Sequence, residues 1–395
     1  MNKIAILTLY NNNNNYGGLA QAYALCKYLN DNGFQAEILN YRKQKGLSGS
    51  FKDRLEAQVS STGIRGLVQK GHYVASWMIN KKLEASNNKK LDRYSTEIET
   101  RKVKFREFRD MTPHSKEYTS ETIVESLSEY DTFISGSDQI WKPGVIQDAF
   151  VLKFVAKHKK KVSYATSIAI SGIQKRAWFS KYLQDNLSDY NAISVRERET
   201  AQELRRVLKR EVSWVVDPTL LLEKSEWDNL AAKRIVEGRY LFAYFLGKSE
   251  KQREFVTKYA KKHGLKIVNL PFAGGEYVEA DERFGDYRLF DIGLPEFFSL
   301  IKYAEIVFTD SFHAVCFSRV FEKNFYVMDR KVQSSSDKMN SRIESILQIM
   351  GLPSRMISED NNECLKEDID YVKVEENLSS YIEHSKQFLT RALLN

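Results

Sequence analysis

Residues 305–318 read EIVFTDSFHAVCFS: an apolar, β-branched run, Glu305–Thr309, stops at Asp310-Ser311, and an apolar pattern of helical period starts at once with His313 near its beginning. A short continuous apolar run that turns within two residues into a helix is the βα half of a βαβ unit. Its strand is buried on both faces and pairs in parallel with its neighbours. The chain following such a strand is where ligands collect, because loops there lead into helix N-termini. An imidazole in that first helical turn raises a functional question, although a lone histidine is more often a packing residue.

The same alternation recurs on both sides of this stretch. Strands are expected at Lys3–Leu9, Ala36–Asn40, Thr132–Ser135, Val162–Thr166, Ala192–Val195 and Ser213–Val216. After a break at Pro218 and Trp227, a second series follows at Tyr240–Leu246, Leu265–Leu270, Glu305–Thr309 and Phe325–Met328. Helical patterns lie between them, at Leu19–Asn30, Lys251–His263, Pro295–Ala304 and Ser311–Lys323. Alternating strands and helices over 395 residues predict an α/β protein of two Rossmann-like domains whose parallel sheets face a cleft. The expected units are 1–225, with a basic helical insertion at about 45–120, then 226–352, then a helical tail, 353–395, that crosses back to the N-terminal domain.

Composition narrows the class. Cys26, Cys316 and Cys364 are far apart, with no CxxC pair, which speaks against a disulfide framework and a zinc knuckle. No run approaches the ~20 apolar residues of a membrane span, and the opening apolar run is too short for a signal peptide. A soluble, cytoplasmic protein is expected. The net charge of +8 is concentrated between Arg42 and Lys116, where 18 Lys and Arg face 8 Asp and Glu. That segment reads either as a solvated helical surface or as a contact with the anionic inner face of the plasma membrane. No nucleic-acid-binding pattern accompanies the charge.

Five strand ends carry candidate chemistry. Gly17-Gly18, after the Asn11–Asn15 run, allow either close approach to a ligand at a helix N-terminus or simply a tight turn. In ISGSDQIWKP (134–143), Ser137, Asp138 and Gln139 follow the strand and Trp141 offers a ring to stack on a sugar; the alternative is a capped turn with a buried tryptophan. SYATSIA (163–169) adds hydroxyls. Arg196, at the end of Ile193-Ser194-Val195, suits capture of a carboxylate or phosphate, or else a pairing with Glu197 or Glu199. The fifth is the opening stretch, where Thr309, Asp310 or Ser311 caps the helix and Asp310 or a bound anion sets the protonation of His313.

Taken in order, NNYGGLAQAYAL, YDTFISGSDQIW, SYATSIA, AISVRE, VDPTLLL, LPEFFSLIKYAEIVFTDSFHAVCFS and SSSDKMNSRIESILQIMGL resemble the polysaccharide pyruvyl transferase family. The resemblance implies a GT-B-like arrangement and transfer of the enolpyruvyl group of phosphoenolpyruvate to two sugar hydroxyls, giving a pyruvate ketal. Phosphoenolpyruvate is then the donor substrate, with no further cofactor and no metal. The acceptor is a sugar of a surface polysaccharide or its polyprenyl-diphosphate-linked precursor. The family's functional histidine corresponds to His313 and an anion-binding arginine to Arg196. Asp138 is assigned as a base; Ser311, Asp310, Gly17, Gly18, Ser137, Gln139 and Trp141 are assigned to substrate binding. Many members have Arg-Leu-His where this chain has Ser311-Phe312-His313, so Arg319 or Arg342 is expected to stand in for the missing arginine. Competing readings are a glycosyltransferase using a nucleotide sugar and a non-catalytic scaffold of polysaccharide assembly.

Overall fold

The computed structural model describes residues 3–43, 89–330, 341–358 and 368–394. Most of the expected basic insertion, 44–88, lies outside the described residues, as does the stretch 331–340.

The N-terminal half runs β1 (Lys3–Leu7), α1 (Tyr16–Asp31), β2 (Gln35–Ile38), α2 (Ser95–Met111), β3 (Thr132–Ser135), β4 (Lys160–Ser163), α3 (Ala177–Leu187), β5 (Ser194–Val195), α4 (Arg198–Leu208) and β6 (Ser213–Trp214). Its main sheet has the order β2-β1-β3-β4. Single parallel bridges, Val162 to Ala192 and Thr166 to Val195, attach the short β5-β6 pair beside β4. After α5 (Lys224–Leu230) the second half runs β7 (Tyr240–Tyr244), α6 (Glu250–His263), β8 (Lys266–Asn269), β9 (Tyr287–Arg288), α7 (Leu294–Lys302), β10 (Ile306–Thr309), α8 (Phe312–Val320), β11 (Asn324–Met328), α9 (Ser341–Met350), β12 (Met356–Ile357) and α10 (Tyr371–Leu394). Its sheet has the order β12-β11-β10-β7-β8-β9, and every strand pairing is parallel.

The central strands are apolar from end to end because both of their faces are covered: Ile306, Val307, Phe308 and Thr309 of β10 are all buried, as is all of β7. In each sheet the winding direction reverses at one place, between β1 and β3 and between β7 and β10. Such reversals open a crevice at the carboxyl ends of the strands. Both reversals are bordered by stretches singled out in the sequence, namely Gly17-Gly18 with Ser137-Asp138, and Asp310–His313.

One apolar cluster runs through both lobes, from Ile4 and Leu25 to Phe297, Val307 and Phe317. Tyr16 joins them: its hydroxyl donates to the Ile292 carbonyl at 2.8 Å, and its ring stacks on Phe297 at 4.6 Å. In the described end of the basic segment most charged side chains are exposed, but one face is packed. Helix α2 buries Phe105 and Phe108, and its Arg101 is buried with its guanidinium donating to the carbonyls of Pro271 and Phe272 in the C-terminal lobe. Helix α10 touches both lobes as well. Tyr371 donates to the carbonyl of Ser318, Val216 N–H donates to Ser385 Oγ, and Lys160 donates to the carbonyl of Leu393.

Candidate active site

His313 is the second residue of α8, and its ring crosses into the N-terminal lobe. On one side a Cβ added to Gly17 would lie 1.9 Å from His313 Nδ1, so only a glycine fits there. On the other side His313 Nε2 is 3.6 Å from Oδ2 of Asp217, just past β6. The ring is 8% exposed and Nε2 is buried with no hydrogen-bond partner among the described residues. This is a polar slot between lobes rather than an apolar interior.

Asp217 is fixed from several sides. Its Oδ1 accepts from the backbone N–H and the hydroxyl of Thr219, and its Oδ2 accepts from Ser137 Oγ at 3.0 Å and from Arg196 at 2.8 Å. Burial pushes this carboxyl upward, but the neighbouring His313 and Arg196, with the Thr219 donors, outweigh burial and hold it well below the usual carboxylate range.

Arg196 does not fill the expected role of an open anion receptor. Its side chain is 1% exposed and is already surrounded by Asp217, Asp138 at 3.4 Å and Glu197 at 3.5 Å, with its guanidinium 4.6 Å above the Phe312 ring. Burial opposes its charge, and the three carboxylates outweigh burial and raise its basicity. Arg196 is the hub that holds the carboxylates in place. Burial pushes the Glu197 carboxyl up, against the pull of Arg196, and both of its oxygens are without a hydrogen-bond donor among the described residues.

Arg342, on α9, is different. It is buried, its Nε has no partner among the described residues, and burial together with the repulsion of Arg196 brings its pKa down to about 10. Of the two arginines expected to complete the site, it is the one whose charge reaches Arg196, Glu197 and Asp138. Arg319, at the far end of α8, pairs with Glu375 of α10 instead.

Two helix N-termini converge here. Gly17 lies in the first turn of α1, capped by Asn15, whose side chain accepts from Gly18 N–H at 2.8 Å. Ser311 holds the cap position of α8 but makes no side-chain capping bond, contrary to expectation. First-turn N–H groups and two positive helix ends are thus brought together with guanidinium groups, which suits a small anion of high charge.

Residues 15–331 match the model of the polysaccharide pyruvyl transferase family. The chain belongs to this family. A search of the curated proteins finds no match. Among solved structures the chain is similar in course to the UDP-GlcNAc 2-epimerase from Neisseria meningitidis bound to UDP-GlcNAc, with 9% identity, coverage of 100% of this chain and 95% of that one, and a TM-score of 0.46. A trehalose-6-phosphate synthase gives 9% identity, coverage of 100% and 99%, and a TM-score of 0.49. An ADP-heptose lipopolysaccharide heptosyltransferase II from E. coli gives 11%, 97% and 99%, and 0.36. These values say nothing about chemistry.

The polysaccharide pyruvyl transferase match includes Gly17, Asp138, Arg196, Asp217 and His313 and stops short of Arg342. Asp138 stands in left-handed backbone conformation, φ 76°, a strained setting for a non-glycine residue, with one oxygen toward Arg196 and the other 3.3 Å from a Cβ placed on Gly18. Gln139 is half-buried. Two expected ligand contacts are corrected. Trp141 is fully buried, its indole N–H donating to the Phe150 carbonyl, and it shows no face to a sugar. The carboxylate of Asp310 is occupied by Leu246 N–H, Gly247 N–H and Arg330, so it secures the β7–β10 crossing and Asp217 takes its expected place beside His313. Asp217 and Arg330 were missed in the sequence, and Glu197 was read only as a partner of Arg196, although each follows an expected strand by one or two residues. The strand-end rule, applied without exception, would have found all three.

Proposed function

We propose that the protein transfers the enolpyruvyl group of phosphoenolpyruvate to two hydroxyls of one sugar in a surface polysaccharide or its lipid-linked precursor. The observation that carries this reading is the setting of His313, an imidazole beside a carboxylate where two helix N-termini meet, with Arg342, whose Nε has no partner among the described residues, within reach of the charges of Arg196 and Asp138. Donor phosphate and carboxylate require cations and N–H groups, and Arg342 with the first turns of α1 and α8 supplies both. Protonation of C3 leaves C2 electron-poor. A sugar hydroxyl then forms a C2–O bond and gives up its proton, the C2–O bond to phosphate breaks, and the second hydroxyl closes the ketal as its proton passes to phosphate. His313 is the acid and Asp138, held by Arg196 beside Gly18, is the base for the attacking hydroxyl.

The test is incubation with phosphoenolpyruvate and a panel of lipid-linked and free glycans, read as phosphate release and as a mass gain of one pyruvyl ketal. Stabilisation against heat by nucleotide sugars and not by phosphoenolpyruvate would favour a glycosyltransferase and overturn the proposal.

A further inference from the structure

Resting on that reading, we infer that Asp217 and Gly17 are positioning residues for His313: together they fix which imidazole nitrogen delivers the proton. Asp217 is held so firmly, by Thr219, Ser137 and Arg196, that its Oδ2 has one direction left to face, and His313 Nε2 stands there at 3.6 Å. At 3.6 Å the contact is one of charge, just beyond hydrogen-bond reach; drawn in by a small movement, the carboxylate would accept Nε2–H and leave the second proton on Nδ1. A Cβ on Gly17 would strike the ring at Nδ1 (1.9 Å) and Cγ (2.1 Å), so the absence of a side chain at 17 is what makes room for the imidazole in the orientation that faces Nε2 to Asp217. Both residues belong to the N-terminal lobe and His313 to the C-terminal lobe, so each lobe contributes half of the acid.

The experiment is a double-mutant cycle of Asp217→Asn and His313→Ala, with kcat and KM for phosphoenolpyruvate measured separately. Alone, Asp217→Asn lowers kcat by between ~10² and ~10⁴ while KM stays within about threefold. In the His313→Ala background it lowers kcat by less than about twofold, because residues acting as one unit are not additive. A purely structural role gives the full loss again in that background, and this would overturn the inference. Should Asp217→Asn not fold, Gly17→Ala, on the opposite side of the ring, takes its place with the same expected non-additivity. If the wild-type protein itself releases no phosphate, it is the proposed function that has failed. The positioning claim is then judged by 15N NMR of the imidazole: Nε2 carries the hydrogen in the wild type and loses that preference in Asp217→Asn. An unchanged tautomer refutes the inference.

Discussion

A guanidinium buried with an unpaired nitrogen is costly unless an anion completes it, and Arg342, whose Nε has no partner among the described residues, is in that position. Arg342→Gln removes a charge-assisted contact worth ~1.5–3 kcal/mol, so KM for phosphoenolpyruvate should rise by about 10- to 100-fold with kcat changed little, as read from initial rates. An unchanged KM removes Arg342 from the donor site. His313→Ala acts on the other parameter: kcat should fall by ~10²–10⁴ while the thermal midpoint stays near that of the wild type. Asp217 makes a prediction about acid. Its carboxyl is held below the usual range, so the stability it contributes is present above the pKa of an unfolded aspartate, ~3.9, and is lost only as pH falls further, through the folded value. The stability difference between wild type and Asp217→Asn should therefore stay level from neutral pH down to about 4 and shrink below it, as measured by denaturant unfolding across pH.

At the scale of elements, the strands and the helices after them were legible because buried parallel strands leave continuous apolar runs, as in Ile306–Thr309, Tyr240–Tyr244 and Thr132–Ser135. What the sequence concealed were the two-residue edge strands β9 and β12, too short for any period to show, and the direction in which side chains at the strand ends face. Arg196 and Asp310 were readable as strand-end groups. That their charges are consumed internally, by Asp217 and by Arg330 respectively, depends on partners 21 and 20 residues away. Trp141 illustrates the same limit, since nothing in its neighbours distinguishes a ring that faces a sugar from one that fills a core. Helix α10 makes a testable element: Leu378 is fully buried on its inner face, and Leu378→Ala should cost ~2–5 kcal/mol of unfolding free energy by denaturant titration. A loss below ~1 kcal/mol would mean the helix does not pack on the body as described.

For the whole molecule the decisive feature is that the lobes share one apolar core, through Tyr16, Phe105 and Phe297, so the slot around His313 is built in advance of substrate. Arg101, buried at this junction, should matter to chemistry it never touches. Arg101→Ala removes two hydrogen bonds between lobes, and both the thermal midpoint and donor affinity are expected to fall together. No helix among the described residues is long and apolar enough to cross a membrane. The most direct measurement is a crystal structure with phosphoenolpyruvate bound. The donor should lie between the first turns of α1 and α8, with an anionic group on Arg342 and C3 or the bridging oxygen within about 3.5 Å of His313 Nδ1. Density for the donor elsewhere, with that slot still closed around an untouched imidazole, would contradict it.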